Sequence, residues 1–439
     1  MDYKTSEVLE FIEENDVKFI KLAFCDIFGN QKNITIMPTE LKRAFYEGVS
    51  FDASAVTGFM KVEESDLLLF PEANTMYLLP WRPQHGRVVR FFCNIKHPDG
   101  RDFEGDCRNI LKEVIKDSKQ KGFTCKIGCE SEFYLFEQDE FGNPTMIPYD
   151  KGTYCDIYPN DRCENIRRDI CLSLEEMGIK ATSSHHEQGP GQNEIDYEYS
   201  NALSAADNLI SFRSLVKTKA SENGLFASFM PRPLETECGS GLHINISLYK
   251  DNKNIFEDKN DKQYKYAESF ISGILNRIEE ITLFLNSSTN SYKRLGKDKA
   301  PKYITWSKEN RSQLIRIPAS KGNRCRMELR SPDSSCNPYI AFALLIKAGI
   351  EGIEKNLQLC NPHNINLFNA NDNEVKNLKT LPNNLNEAIN NALNSEFIKT
   401  VLPQKTINNY IDDKKQEWDI YNSITDKFKA EKELYFEKF

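Results

Sequence analysis

Strict alternation of polar and apolar residues is the feature that most constrains how this chain can fold. In residues 239–248, Leu242, Ile244, Ile246 and Leu248 alternate with His243, Asn245 and Ser247. A period of two is that of a β-strand, whose successive side chains point to opposite faces. This segment therefore predicts a strand with one face in an apolar core and one polar face. A histidine followed by neutral hydrogen-bonding groups on that polar face suits a metal beside a nucleotide, although a lone histidine is more often structural.

A second predicted strand carries two glutamates on the same face. Residues 128–136 are rich in β-favouring side chains, and their alternation separates Glu130 and Glu132 from Phe133 and Leu135. Neighbours on one face lie about 7 Å apart, so the two carboxylates repel each other unless a cation lies between them. The segment is either a solvent-facing acidic strand or part of a metal site.

Two further segments bring charged side chains together. The Gly-Pro-Gly turn at 189–191 can fold Glu194 back toward Glu187, although an ordinary acidic hairpin gives the same pattern. His185 and His186, just before it, are expected to be structural. In residues 326–330 the alternation places Glu328 between Arg326 and Arg330, which indicates either a surface ladder of ion pairs or a site for phosphate and magnesium.

Taken together, these segments favour chemistry on nucleotide phosphates. Their five glutamates and one histidine, with no cysteine among the candidate ligands, suit Mg²⁺ or Mn²⁺ better than zinc. The chain has neither a G-x-x-x-x-G-K-[ST] loop nor a G-x-G-x-x-G segment after a predicted strand. We therefore expect metals and arginines to hold the phosphates.

Bulk composition excludes several other classes of protein. The 439 residues include 57 Lys plus Arg and 65 Asp plus Glu, and the net charge of −8 argues against general nucleic-acid binding. Residues 1–15 do not resemble a signal peptide, and no apolar run approaches the roughly 20 residues that cross a bilayer. We expect a cytoplasmic protein without a membrane span, whose 12 cysteines are reduced.

The order of predicted elements indicates an α+β or mixed α/β class. Residues 17–37 predict a hairpin, and the K-H-P-D-G segment at 96–100 predicts a boundary between a domain at 1–100 and a domain at 101–439. Asp106 is expected to cap a helix. Further helices are predicted over 163–177, 202–222, 265–285 and 338–357, and the Asn-rich tract 361–394 predicts a surface helical region.

Six motifs identify a family resemblance over nearly the whole chain. They are G-C-E-S-E-F-Y, S-H-H-E-x-G-P-G-Q-N-E-I, G-S-G-L-H, N-S-Y-K-R-L, N-R-S-x-L-I-R-I-P and R-M-E-L-R. Their order and spacing resemble the type I glutamine synthetases. The resemblance implies a small N-terminal β-grasp domain and a large catalytic domain with a curved antiparallel sheet flanked by helices. It also implies a dodecamer of two stacked six-membered rings, with active sites between subunits.

The resemblance further implies ATP-dependent ligation of ammonia to the γ-carboxylate of L-glutamate through γ-glutamyl phosphate. Two to three Mg²⁺ or Mn²⁺ ions are implied, with Glu132, Glu187 and Glu194 as ligands of one ion and Glu130, His243 and Glu328 as ligands of another. It places Asn245, Ser247, Arg316 and Arg326 at ATP, and Gly239, Arg294, Arg311 and Arg330 at glutamate or its phosphorylated form. Asp52, supplied by an adjacent subunit, would bind ammonium and take its proton, and Tyr154 would line the same pocket.

The sequence departs from the family pattern at a few positions. A flap glutamate expected before an Ala-Pro pair is replaced by Lys299, with Asp298 beside it, and an asparagine expected before G-S-G-x-H is Cys238. Residues 52–55 read D-A-S-A in place of D-G-S-S. These departures leave open a ligase that uses an organic amine, or a non-catalytic ring-forming relative. Phe368 stands where adenylylated relatives carry a tyrosine, so we expect no adenylylation there.

Overall fold

Two β-sheets organise the chain, and the computed structural model describes residues 4–82, 85–257 and 262–439. The first sheet contains β1 (Val17–Cys25), β2 (Gln31–Ile36), β3 (Val49–Asp52), β4 (Asp66–Pro71), β5 (Tyr77–Leu78) and β6 (Arg87–Lys96). Its order is β2-β1-β6-β4-β3, with β5 also on β6, and only β1 and β6 pair in parallel. The predicted hairpin is therefore confirmed as β1 and β2.

The second sheet is larger and carries the acidic segments. It contains β7 (Thr124–Gln138), β8 (Pro144–Pro148), β9 (Ala181–His186), β10 (Gln192–Tyr197), β11 (Ser200–Asn201), β12 (Leu225–Ser228), β13 (Leu242–Lys250), β14 (Lys253–Asn254), β15 (Trp306–Lys308), β16 (Ile315–Ile317) and β17 (Met327–Leu329). The main order is β15-β16-β17-β13-β7-β10-β9. Neighbours along it are antiparallel except β15 and β16, which are parallel. The 15-residue β7 pairs with five other strands and is the axis of the sheet.

Helices pack against both sheets. They are α1 (Thr5–Glu14), α2 (Leu41–Glu47), α3 (Cys107–Gln120), α4 (Glu164–Glu176), α5 (Ala202–Glu222), α6 (Tyr264–Leu285), α7 (Ser291–Arg294), α8 (Pro338–Glu354), α9 (Asp372–Val375), α10 (Leu385–Leu393), α11 (Glu396–Lys399), α12 (Gln404–Ser423) and α13 (Lys427–Tyr435). Phe133 of β7 packs against Phe212 of α5 in the core. Across the described ranges, every helix is too short or too polar to span a bilayer.

Four predicted helices are confirmed within a few residues as α4, α5, α6 and α8, and Asp106 caps α3 by accepting from two backbone N–H groups. The prediction for residues 361–394 is wrong in part. Only α9 and α10 are helical there, and α10 is anchored in the core by Leu385 and Ile389. Asparagine side chains bond readily to nearby backbone, and Asn371 and Asn384 do so as N-caps that begin helices.

A buried ion-pair network connects the two sheets. Arg108 of α3 donates to both carboxylate oxygens of Asp207 on α5, each at 2.9 Å. The same guanidinium donates to Glu72, which follows β4, at 2.6 Å, and the Tyr339 hydroxyl donates to Asp207 at 2.7 Å. Because these groups are shielded from water, each depends on the others for its hydrogen bonds.

Asp207→Ala is expected to lower the free energy of unfolding by about 3 kcal/mol, because it leaves the buried Arg108 guanidinium without its main partner. Urea denaturation at fixed protein concentration measures the change. Glu113→Ala is the control, since Glu113 pairs with Lys116 at 3.1 Å on the exposed side of α3 and should matter by less than about 0.5 kcal/mol. Equal destabilisation by the two variants would contradict the assignment.

Candidate active site

Strand register brings the predicted acidic residues onto one face of the large sheet. The pairs directly opposite one another are Glu130 with His243 and with Asp196, Glu132 with Glu194, and Glu328 with Asn245 and with Arg316. Side chains that are opposite in register, or two residues apart on a strand, point to the same side. Three antiparallel ladders therefore assemble carboxylates from segments that are far apart in the sequence.

The first acidic cluster consists of Glu130, His243 and Glu328. One ligand atom from each lies within 4.8 Å of the others. His243 Nδ1 lies 3.1 Å from Glu130 Oε2, and Asn245 Nδ2 donates to Glu130 Oε1 at 2.9 Å. Burial alone would raise the pKa of Glu130, but the hydrogen bonds from His243 and Asn245 and the charge of Arg326 bring it down to about 2. Glu130 is thus held as a carboxylate.

The second acidic cluster contains Glu132, Glu187 and Glu194, with His185 beside them. Ligand atoms of Glu132, Glu194 and His243 lie within 4.8 Å of one another, and so do those of His185, Glu187 and Glu194. Glu194 belongs to both groups, so the three predicted glutamates share one acidic pocket. Burial, followed by the charge of Asp196 and the neighbouring glutamates, raises the pKa of Glu194 well above its ordinary value.

These donors fit a divalent cation of the magnesium type. Carboxylate oxygens predominate, and desolvated carboxylates that repel one another are stabilised by a positive ion between them. The main cavity has a volume of about 570 Å³ and is lined by Glu130, His243 and the three glutamates of the second cluster, and also by Tyr154, Gly239 and Arg311. Glu328 is buried and is not among the described residues that line it. Gly239 lies so close to its surroundings that an added Cβ would come within 2.6 Å of the Pro231 carbonyl oxygen.

Arginines line the same cavity beside the acidic clusters. Arg316 donates to Glu328 at 2.6 Å, and Arg326 donates from Nε to Asn245 Oδ1 at 2.7 Å. Arg330 is 2% exposed, yet its Nε and one terminal nitrogen have no hydrogen-bond partner. Buried guanidinium donors that lack a partner are ready to bind an anion.

Arg294 differs from the other arginines because its donors are already engaged. It donates to the carbonyl oxygens of Ser331 at 2.8 Å and Arg330 at 3.2 Å. The guanidinium thereby fixes the chain just after β17, next to Arg330. Arg294 lines the cavity, as predicted for a glutamate-binding residue, but its observed contacts position the backbone.

A neighbouring cavity of about 360 Å³ shares Glu130 and Arg326 with the first. It is also lined by Asn245 and Ser247, the two polar residues that follow His243 on β13. The Ser247 hydroxyl donates to the Cys325 carbonyl at 3.1 Å. The two cavities adjoin at the acidic clusters, which leaves room for two ligands side by side.

The flap, residues 296–301, brings a positive charge to the mouth of the site. Lys299 Nζ lies 5.2 Å from the centre of the Tyr154 ring, and both residues line the main cavity. Asp298 accepts a hydrogen bond from Arg232 at 2.8 Å, so its carboxylate is already engaged. Cys238 lies in the same cavity, with Sγ 3.5 Å from Gln188 Oε1.

Two residues of the site were missed by the sequence analysis. His185, expected to be structural, lines the cavity with Nε2 3.0 Å from Glu187, whereas His186 is buried against Asp150 as expected. Asp196 also lines the cavity, and burial together with Glu130 raises its pKa to about 6. The signal was available, because Asp196 is two residues beyond Glu194 on the same strand face.

Asp52 is not brought to the cavity by its own chain. It lies at the exposed end of β3 and accepts from the Ser54 backbone N–H at 2.9 Å. Its hydrogen bonds with Ser54 lower the pKa of this carboxyl. Its contribution from an adjacent subunit stays a prediction.

Comparisons with known proteins agree with this geometry. Residues 16–98 match the glutamine synthetase β-grasp domain model, and residues 104–433 match the glutamine synthetase catalytic domain model. The chain is 45% identical over 426 residues to a glutamine synthetase of Clostridium saccharobutylicum, with 96% of each protein covered. It is 44% identical over 423 residues to one of Methanosarcina mazei, with 95% of each covered.

Solved structures show the same likeness. A GmaS/ADP complex superposes with a TM-score of 0.87 at 27% identity, covering 99% of this chain and 100% of that one. The Plasmodium falciparum glutamine synthetase gives a TM-score of 0.85 at 26% identity, covering 96% of this chain and 97% of its own. With its β-grasp sheet, its acidic catalytic sheet and relatives that match over nearly its full length, the chain belongs to the glutamine synthetase family.

Proposed function

We propose that this chain ligates ammonia to the γ-carboxylate of L-glutamate with ATP, by way of γ-glutamyl phosphate, and releases L-glutamine, ADP and phosphate. The observation that supports this best is the meeting of two acidic clusters with the buried Arg330 on one sheet face, where Arg330 Nε lies 3.6 Å from Glu328 and two of its nitrogens have no hydrogen-bond partner. A carboxylate does not react with an amine until one of its oxygens becomes part of a leaving group. Phosphoryl transfer from ATP supplies that leaving group, and the charges needed for it converge here.

In this proposal the acidic clusters hold Mg²⁺ or Mn²⁺, two to three ions per site. Glu130, His243 and Glu328 hold one ion, and Glu132, Glu187 and Glu194 hold another. Such ions neutralise charge on the phosphate oxygens when they are bound. Asp196 and His185 lie beside these ligands. Asp196 adds charge opposite Glu130, and His185 forms a hydrogen bond with Glu187.

The arginines supply the remaining positive charge. Arg316 and Arg326, with Asn245 and Ser247, are proposed to hold ATP in the cavity beside the first acidic cluster. Arg311 and Arg330, with Gly239 and Arg294, are proposed to hold glutamate and its phosphorylated form. Arg330 supports this assignment, since it lines the main cavity and two of its nitrogens have no hydrogen-bond partner, so that an anionic substrate would give them one.

Ammonium must bind and then lose a proton, because only neutral ammonia is a nucleophile. Tyr154 and Glu187 line the cavity near the flap and are proposed to form the ammonium pocket. Asp52 of an adjacent subunit is the proposed proton acceptor, which its lowered pKa keeps ionised. This assignment requires assembly, and a dodecamer of two six-membered rings is the proposed state.

Three further proposals follow from family membership. The β-grasp domain occupies residues 1–100 and the catalytic domain occupies residues 101–439. The protein acts in the cytoplasm. Phe368, which is 36% exposed and has no hydroxyl, cannot be adenylylated as a tyrosine can.

Glu194→Gln tests the metal assignment through stability. The variant is expected to melt at a higher temperature than wild type in EDTA, because it removes one of several repelling buried carboxylates. It should also lose most of the upward shift that saturating Mg²⁺ gives the wild type. Glu137→Gln, on the neighbouring strand β7 and outside the site, is the control and should behave as wild type in both conditions. A full magnesium shift in Glu194→Gln would contradict the assignment.

The amine preference is tested with purified wild-type protein, ATP, Mg²⁺ and L-glutamate. Phosphate release is expected to depend on ammonium and to exceed release with methylamine, ethylamine or hydroxylamine at equal concentration. Release with an organic amine only would select the alternative ligase that Lys299 and Cys238 leave open. Absence of release with every amine would select a non-catalytic relative.

Lys299→Gln is expected to lower the KM for ammonium by about fivefold, with little change in the KM for glutamate. A second cation at the mouth of a partly exposed pocket disfavours ammonium by about 1 kcal/mol, and the neutral side chain removes that repulsion. Initial rates at varied ammonium concentration measure the effect. Lys308→Gln, an exposed lysine outside the cavity, should leave both constants unchanged. An unchanged or higher ammonium KM in Lys299→Gln would show that Lys299 does not repel the substrate.

A further inference from the structure

A separate cavity lies on the face of the large sheet opposite to the carboxylates. It has a volume of about 240 Å³ and lies between the turn of the β1–β2 hairpin, helix α5, the segment before α8 and the last residues described. We refer to it as the hairpin cavity. Arg213, Lys217 and Lys438 line it, and no aspartate or glutamate is among its described lining residues.

Arg213 is the most informative residue of the hairpin cavity. One terminal nitrogen of its guanidinium donates to the Cys336 carbonyl oxygen at 3.0 Å. The Nε atom and the other terminal nitrogen are buried and have no hydrogen-bond partner. An arginine with two unused buried donors is costly to keep in the fold unless an acceptor reaches it.

Lys217, one helical turn further along α5, is the second cation without a counter-ion. Its Nζ donates to the Lys438 carbonyl oxygen at 3.3 Å. Burial and the positive charge of Arg213 lower the pKa of Lys217 to about 8, and no carboxylate opposes this shift. Lys438 differs, because its ammonium group pairs with Glu417 at 2.7 Å.

The remaining walls suit a small ligand. Ser214 and Ser335, whose hydroxyl groups are able to donate hydrogen bonds, line the same space. We propose that the hairpin cavity binds a small oxyanion, either inorganic phosphate or a carboxylate, between Arg213 and Lys217. A guanidinium fork matches two oxygens of such an anion, and the ammonium group supplies a third donor.

Residues that line the hairpin cavity also contact β7, the strand that carries Glu130 and Glu132 on its other face. Ser131 lies between Glu130 and Glu132 on β7, and its hydroxyl is 3.0 Å from that of Ser334, which lines the hairpin cavity. Phe229, another lining residue, packs against Phe133 with ring centroids 5.6 Å apart. An anion in this cavity therefore contacts groups that pack directly behind the acidic strand.

The test is the rate at which an amine-acylating reagent modifies Lys217 in the assembled full-length protein, at pH 8, located by peptide mass spectrometry. Inorganic phosphate and sodium acetate are titrated separately, with sodium chloride at matched ionic strength. One of the two anions is expected to slow modification of Lys217 saturably, by about tenfold, while chloride does not. Protection by phosphate or by acetate assigns the anion to one of the two sources. Because the readout is at Lys217, it is independent of binding at the catalytic face and of the proposed reaction.

Variants sharpen the test. Lys219, on the same helix but paired with Glu222 at 2.9 Å and outside the cavity, is the internal control and should be unaffected. Arg213→Met should abolish protection of Lys217, and Arg213→Lys should keep part of it. Protection no greater than with chloride, equal protection of Lys219, or a Lys217 that is unreactive in the absence of any anion would overturn the proposal.

Discussion

Repulsion among carboxylates on one sheet face is the interaction around which this structure is arranged. Glu130, Glu132, Glu194 and Asp196 come from two adjacent strands and face the same cavity. Side chains that repel one another stay together only if the backbone beneath them is rigid. That rigidity comes from the ladders on both sides of β7 and from arginines and a histidine interleaved with the acids. The electrostatic repulsion among these carboxylates is what gives the site its affinity for cations.

The opposite face of the sheet supplies the stabilising burial of apolar side chains that the acidic face lacks. Phe133 and Leu135 alternate with the glutamates on β7 and are fully buried beneath the helices. The bidentate pair of Arg108 with Asp207 ties these helices together, and Glu72 extends the network to the β-grasp sheet. Each strand thus has one apolar face that stabilises the fold and one polar face that forms the site.

Sequence periodicity was enough to predict the faces of the strands and the four long helices, because both depend on local alternation. It could not predict that β15 and β16 pair in parallel, since strands of three residues are too short to show a periodicity. Asp196 lies two residues beyond Glu194 on the same strand face, so its position was predictable from the same alternation. The engagement of Asp298 by Arg232 joins residues 66 positions apart and had no signal in the sequence.

The pairing pattern of β7 has a consequence for how the protein is made. The first acidic cluster is completed by β13, which pairs with β7, and by β17, which pairs with β13. These strands lie more than a hundred and almost two hundred residues further along the chain. A nascent polypeptide on the ribosome therefore displays Glu130 and Glu132 long before the segment bearing Glu328 has been synthesised. Contacts between such distant segments form slowly, so the β-grasp domain has time to fold first. The catalytic sheet is then completed only after the C-terminal third of the chain has emerged from the ribosome.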